Sequence, residues 1–266
     1  MPEPDYRERF GGLQRLYGEA AFARLPELHF CVVGIGGVGS WAVEALARSG
    51  IGRLTLVDYD SVALSNVNRQ LPALDSTLGE KKITVMQQRV KQINPDCRVE
   101  PIDDFLTLDN LEAILGRGYD YVIDAIDSIK FKAALIHYCK RGRIPVITTG
   151  GAGGLTDATR IGIADLSRTH NDALAAKVRA RLRADYGFSR NPKRRFGVDC
   201  VYSTQQPVYP REDGSVSHAK PGIHGLSLDC RLGYGASVCV TASFGFMAAA
   251  HALNKALDKS LAKQGG

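Results

Sequence analysis

The sequence predicts an α/β protein built on a doubly wound, mainly parallel sheet with a C-terminal substrate-binding extension. Three observations lead there. Between residues 30 and 149 short apolar runs alternate with longer amphipathic stretches, the pattern of parallel strands joined by crossover helices. The first run ends on Gly34-Ile35-Gly36-Gly37-Val38-Gly39, a glycine loop between a predicted strand and a predicted helix, as in Rossmann-like sheets. Finally, 266 residues with 44% hydrophobic and 23% charged side chains suffice for an ordinary globular core, which excludes disordered and collagen-like chains.

The charged N-terminus carries no apolar core of a secretory signal, so a cytoplasmic protein is expected, and residues 1–28 read as a helical segment with its helix over 7–25. Residues 29–155 form the predicted Rossmann-like core, with strands at 29–33, 53–58, 98–102, 119–124 and 145–149. Helices are expected at 38–49, 79–93, 109–115 and 129–141, stopped by Gly50, Pro95, Gly116 and Gly142. After the glycine run at 150–154, residues 156–266 read as a continuation of the sheet within one structural domain, because no linker separates them. This part holds a basic insertion at about 177–199, a Pro- and Gly-rich stretch at 207–225 and a small-residue helix. No charged residue lies between Arg231 and Lys255, a length that could span a bilayer. Gly, Ser, Thr and Ala dominate 232–254, however, which predicts a buried helix at a subunit interface rather than a membrane span.

In this context the glycines at 34, 36, 37 and 39 let the backbone approach phosphate oxygens while a helix N-terminus supplies N–H donors. Asp58, at the end of the second strand, is placed to take both ribose hydroxyls, with Asp60 close behind it. These features alone suit a nicotinamide dehydrogenase. Three motifs farther along the chain suit a nucleoside triphosphate better: Ser65-Asn66-Val67-Asn68-Arg69-Gln70, then Gly79-Glu80-Lys81-Lys82, then Asp124-Ala125-Ile126-Asp127-Ser128. An arginine, a lysine and an aspartate near the carboxyl edge of a sheet are what holds phosphates and Mg²⁺, and hydride transfer needs none of them.

The six cysteines, at 31, 97, 139, 200, 230 and 239, include no C-x-x-C pair, so neither a disulfide scaffold nor structural zinc is expected. Charge is uneven. Residues 177–195 carry Lys177, Arg179, Arg181, Arg183, Arg190, Lys193, Arg194 and Arg195 against Asp185, a net +7 in a chain of net +6, which leaves the remainder at −1. Such a stripe fits a phosphate-rich partner or a solvated helix and loop, and charge alone does not choose.

These residues together give a resemblance. Through RFGGLQRLYG at 9–18, CVVGIGGVGSW at 31–41, VIDAIDS at 122–128, TTGGAGG at 148–154 and GVDCVYS at 197–203, the chain resembles the ubiquitin-activating-enzyme-like superfamily. That superfamily includes the adenylating enzymes of thiamine and molybdopterin biosynthesis. Within it the chain is most similar to the tRNA-modifying dehydratases that act on N6-threonylcarbamoyladenosine. The resemblance implies ATP-dependent activation of a carboxylate: Asp58 holds the ribose, Asn66 and Arg69 contact the phosphates, Lys82 supports the transferred α-phosphate and Asp127 binds Mg²⁺. Lys81 adjoins Lys82, and a slip of one residue would exchange them.

The resemblance further implies a homodimer in which relatives complete the site with a partner arginine; the matching position here is Gly12, and Arg15 is the nearby candidate. Its counterpart to a sulfur-transfer cysteine is Cys230. The implied substrate is the anticodon arm of a tRNA, which gives the basic stripe a purpose, with Tyr186 and Phe188 stacking on unpaired bases or packing in the core. A cysteine desulfurase and its sulfur-acceptor protein are the further partners implied. The rival readings are an adenylating activator of a small sulfur-carrier protein, which the missing zinc pairs oppose, and a non-catalytic nucleotide-binding scaffold, which would not need Asp127 with Lys82.

Overall fold

A computed structural model of the protein describes residues 4–219 and 235–262. The chain opens with α1 (Pro4–Tyr17) and α2 (Glu19–Arg24), then alternates through β1 (His29–Val33), α3 (Gly39–Arg48), β2 (Arg53–Val57), α4 (Lys82–Ile93), β3 (Arg98–Ile102), α5 (Leu111–Leu115), β4 (Tyr121–Asp124), α6 (Ile129–Arg141) and β5 (Val146–Thr149). It continues with β6 (Ile161–Asp165), α7 (Ala173–Asp185), β7 (Asp199–Ser203), the small hairpin of β8 (Tyr209–Pro210) and β9 (Val216–Ser217), and α8 (Val238–Ala262).

Seven strands form one sheet in the order β3-β2-β1-β4-β5-β7-β6. All pairs are parallel except β6 with β7. The doubly wound class predicted from the sequence is the observed one, and the strand order reverses between β1 and β4, where a crevice opens at the carboxyl edge.

The period-2 alternation of β1 explains how both faces are covered. Phe30 and Val32 join the apolar cluster beneath α1 to α4 and α8, while Cys31 and Val33 join the cluster beneath α5, α6 and α7.

Several ends lie one or two residues inside the expected bounds, as in α3, β2, α5, β4 and β5, and three helical regions call for comment. The helix expected over 7–25 is divided at Gly18, which lies outside both α1 and α2. The helix expected from residue 79 begins at Lys82, because Lys81 is extended and bridges to Ser61. The last helix runs over Val238–Ala262 and packs one face against α3 and the sheet of its own chain, with Phe246 exposed on another. At Gly245 a Cβ would stand 2.4 Å from the Val38 carbonyl oxygen, which shows how tightly α8 lies on α3. Among the described residues no helix is long and apolar enough to cross a membrane.

Candidate active site

The carboxyl edge carries a cavity of 860 Å³ lined by the glycine loop, the ends of β2, β4 and β5, the 65–70 turn and the first turn of α8. That volume lies at the upper end for small-molecule sites.

Gly34 and Gly39 shape the loop. Gly34 has φ +89 and would place a Cβ 2.9 Å from the Ala125 carbonyl oxygen, while a Cβ on Gly39 would overlap the Gly34 carbonyl oxygen at 1.8 Å. The loop therefore folds flat against β4 and aims α3 at the cavity. Gly34, Gly36 and Gly37 line the space, whereas Gly39 is buried behind them.

Asp58 fixes the loop from the side. Its Oδ2 accepts the Ile35 N–H at 2.6 Å and its Oδ1 the Asp60 N–H at 2.8 Å. Burial pushes the Asp58 carboxyl up, opposed by those two N–H groups and by Lys82. Lys82, almost fully buried, bonds Asp60 Oδ2 at 2.8 Å and lines the cavity. Lys81 instead donates to Asp103 Oδ1 at 2.8 Å and to the Tyr59 carbonyl at 2.7 Å, and does not line it.

The 65–70 turn brings Asn66 and Arg69 to the opposite wall. The Asn66 carboxamide oxygen accepts the Ala63 N–H at 3.0 Å, and Arg69 donates to the Ser65 carbonyl and to Asn68 Oδ1, both at 2.9 Å. Trp41 Nε1 donates to the Arg69 carbonyl at 3.0 Å and anchors that turn to α3.

Asp127 follows β4. It is exposed, lines the cavity and makes no hydrogen bond or ion pair among the described residues. No group of three His, Cys, Asp or Glu is placed to hold a metal ion among the described residues. One free carboxylate beside phosphate oxygens nevertheless fits Mg²⁺, which takes one or two carboxylates and completes its shell with phosphates and water.

Beneath Asp127 lies a buried pair that the sequence reading left unassigned. Lys132 Nζ meets Asp124 Oδ2 at 2.9 Å and the Ile126 carbonyl at 2.8 Å, with Lys132 2% and Asp124 0% exposed. Thr148 Oγ1 donates to the same Asp124 oxygen at 2.7 Å. Burial pushes the Asp124 carboxyl up, and Lys132 and Thr148 oppose that shift. The pair pins the loop that presents Asp127 to the cavity.

A similar buried carboxylate ties the basic helix to the site. Asp172 caps α7 by accepting the Ala175 N–H at 2.8 Å and also accepts the Gly151 N–H at 3.0 Å from the glycine run that lines the cavity. From there α7 descends toward the amino edge of the sheet, where the 190–198 segment enters β7.

The basic residues divide along this path. Lys177, Arg190, Lys193, Arg194 and Arg195 are exposed. Arg179 donates to Thr169 Oγ1, Arg181 pairs with Asp185 at 2.9 Å, and Arg183 lies 5.4 Å from the Phe196 ring centroid. Tyr186 stacks on His137 at 4.6 Å and Phe188 meets Phe196 at 4.9 Å, so both aromatics pack with the core.

Of the described cysteines, Cys31, Cys97, Cys139 and Cys200 are buried, and burial pushes the Cys31 and Cys97 thiols up to about 12, which leaves no thiolate there. Cys230 lies outside the described residues. Arg15 is exposed on α1 and does not line the cavity of its own chain.

A glycine-loop cavity flanked by an Asn-Arg turn, a buried lysine and an aspartate without a partner among the described residues suits the class of adenylating enzymes better than hydride transfer. The model of the ThiF family matches residues 10–264, and the chain belongs to that family. The tRNA threonylcarbamoyladenosine dehydratase of Escherichia coli (strain K12) is 54% identical over 261 residues, covering 98% of this chain and 97% of that protein. The structure of Escherichia coli tRNA N6-threonylcarbamoyladenosine dehydratase in complex with ATP matches with a TM-score of 0.88 at 50% identity, covering 98% of each chain. Its complex with AMP matches with a TM-score of 0.87 at 50% identity over 97% of this chain and 98% of that one. The resemblance drawn from the sequence motifs is borne out.

Proposed function

We propose that the protein is an ATP-dependent tRNA-modifying enzyme that dehydrates N6-threonylcarbamoyladenosine beside the anticodon, closing it into a ring through an acyl adenylate. The observation that carries this reading is one cavity in which the glycine loop, Asp58, Asn66, Arg69, Lys82 and Asp127 converge, in a chain similar over nearly its whole length to a dehydratase whose structures contain ATP and AMP.

Asp58 takes the ribose hydroxyls, and the N–H groups of the glycine loop meet the phosphates at the amino terminus of α3. Arg69 and Asn66 contact the phosphates from the 65–70 turn. Lys82 exchanges part of its bond to Asp60 for the α-phosphate, whose negative charge grows as it is attacked. Asp127 would hold Mg²⁺, which would supply neutralisation of phosphate charge.

The threonyl carboxylate of the modified adenosine attacks the α-phosphorus in line. A bond from the carboxylate oxygen to phosphorus forms, the bond to the β-phosphate oxygen breaks, and pyrophosphate leaves. The carbamoyl group of the same modification then attacks the activated carbonyl, gives up an N–H proton to solvent and expels AMP, so one carboxylate oxygen departs with AMP and the substrate loses the elements of one water. The nucleophile of the second step is built into the substrate, which accounts for why no catalytic serine or thiolate stands out among the described residues of the site. Positioning therefore supplies much of the rate.

The exposed cations Lys177, Arg190, Lys193, Arg194 and Arg195 offset RNA phosphates, and Arg179, Arg181 and Arg183 stiffen the element that carries them. The homodimer, with Arg15 reaching the partner's site, and docking of a cysteine desulfurase with its sulfur acceptor belong to the same reading. The direct test incubates the protein with ATP, Mg²⁺ and bulk tRNA and examines the digested nucleosides by mass spectrometry. Threonylcarbamoyladenosine lighter by one water, formed together with AMP and pyrophosphate, is the expected product. Unchanged tRNA, or conversion without ATP, refutes the reading.

A further inference from the structure

The corner of the cavity farthest along the chain from the glycine loop is unusual in its polar groups. Thr241, in the first turn of the 25-residue α8, lines the cavity, is 3% exposed, and its hydroxyl oxygen has no hydrogen-bond partner among the described residues. A threonine inside a helix ordinarily satisfies its hydroxyl on the carbonyl four residues back. Ser243 in the same helix does this, donating to the Cys239 carbonyl at 2.7 Å. Thr241 leaves the corresponding Ser237 carbonyl to its own backbone N–H, at 3.0 Å.

Gln70, in the 65–70 turn, also lines the cavity and is 8% exposed, and its side-chain oxygen is buried without a partner among the described residues. An unpaired buried hydroxyl is costly, and the Thr241 hydroxyl, which can donate, points to a ligand with acceptor oxygens; the Gln70 oxygen only accepts, so Gln70 serves such a ligand by turning its amide over to present Nε2.

These groups meet the phosphate loop. A Cβ on Gly37 would lie 3.3 Å from Arg69 Cγ and 3.6 Å from Thr241 Cβ, and one on Gly36 would lie 3.9 Å from Gln70 Nε2. The corner therefore combines the loop backbone, a guanidinium, a hydroxyl and the positive end of a long helix, an environment for an anion with several oxygens.

We propose that Thr241, together with Gln70, binds the β- and γ-phosphates of ATP and holds the departing pyrophosphate, the positive end of α8 adding its field while the Cys239, Val240 and Thr241 N–H groups stay bonded to Ser237. The assignment rests on the adenylation reading above. As the bond from the α-phosphorus to the bridging oxygen breaks, the electron pair passes to pyrophosphate. The Thr241 hydroxyl donates a hydrogen bond to that growing charge and keeps its proton, and Gln70 donates through its amide after turning it toward the phosphate. Neither group would touch AMP, which lacks the phosphates they serve.

The test compares ATP, AMP and free pyrophosphate binding by titration calorimetry on the full chain with Mg²⁺, for wild type, Thr241→Val and Thr241→Ser. Valine keeps the shape and removes the hydroxyl. ATP and pyrophosphate affinities should fall about tenfold in Thr241→Val, as for loss of one hydrogen bond to a charged group, with AMP affinity unchanged and serine restoring the loss. Gln70→Met, which removes the amide from a different element, should show the same separation of ATP from AMP. An equal loss of ATP and AMP, or no loss of either in both variants, overturns the assignment. Failure of the wild-type protein to bind ATP would refute the adenylation reading itself, a result distinct from a defect confined to the variants.

Discussion

Replacing Lys132 by methionine probes the buried support of the site. The ammonium is 2% exposed and bonds Asp124 Oδ2 and the Ile126 carbonyl, so the variant leaves a fully buried carboxylate held only by Thr148 and the more distant Ile126 N–H at 3.3 Å. Removing one member of such a pair costs about 3–5 kcal/mol, far more than the pair's net contribution, because the remaining charge stays desolvated. At about 2–4 °C per kcal/mol for a domain of this size, the melting temperature should drop by roughly 6–20 °C. The sign of the pH dependence comes from the same burial. Without Lys132 the folded-state pKa of Asp124 rises further above its unfolded value, so the stability carried by the neutral acid is present at low pH and lost as pH rises through the folded pKa. The deficit of Lys132→Met relative to wild type should therefore be smaller near about pH 5 than near about pH 8. Adding Asp124→Asn should recover part of it, because an amide still accepts from Thr148 without a charge. Calorimetric melting across this range is the assay. A shift within about 2 °C of wild type, or a deficit independent of pH, refutes the account of the pair.

Asp127→Ala should abolish pyrophosphate release while leaving the melting temperature unchanged, since the exposed carboxylate has no partner among the described residues; near wild-type turnover with the same Mg²⁺ dependence would remove it from the site. Lys82→Met should slow adenylation by about 10²–10³-fold, the usual cost of losing a donor to developing charge, and Lys81→Met should not, and the reverse result would exchange the two assignments. Replacing Arg190, Lys193, Arg194 and Arg195 together by glutamine should weaken tRNA binding and lower its salt slope by roughly 0.7–0.9 for each phosphate no longer neutralised, equally for modified and unmodified tRNA, while ATP binding stays unchanged. Filter-binding measurements across a salt series decide this, and an unchanged slope would mean that the stripe is merely solvated.

The core was legible because its strands and helices alternate in hydrophobic period. The expected bounds at 29–33, 98–102 and 129–141 are those of β1, β3 and α6. β6 and β7 were hidden: β6 runs antiparallel to β7, outside the parallel crossover pattern, and β7 enters the sheet beside β5 after a long connection that periodicity does not describe. At the site, Asp58, Asn66, Arg69, Lys82 and Asp127 were readable because each stands in a compact motif near the end of a strand or the start of a helix. Thr241 was not, because it sits on a helix whose composition speaks only of packing, and nothing local says that its first turn opens on a phosphate loop some two hundred positions away. Lys132 looks like an ordinary helical charge until the fold turns it onto Asp124. The stripe at 177–195 reads as one surface in sequence, yet three of its arginines are engaged by their own chain.

The outermost strand β3 has a consequence for how copies of the protein can associate. The Arg98 N–H bonds the Gly52 carbonyl and the Ile102 carbonyl accepts from Asp58, so both residues turn their backbone toward β2 and, by alternation, Val99 and Pro101 turn theirs outward. Pro101 has no N–H to offer, and the outward Val99 carbonyl is already taken by Gln87 Nε2 at 3.2 Å. A neighbouring chain seeking to prolong the sheet there finds half of its template, the Val99 carbonyl and the missing Pro101 N–H, unavailable, a form of edge protection. Self-association at this side of the molecule is thereby biased toward helix surfaces and side chains and away from strand addition.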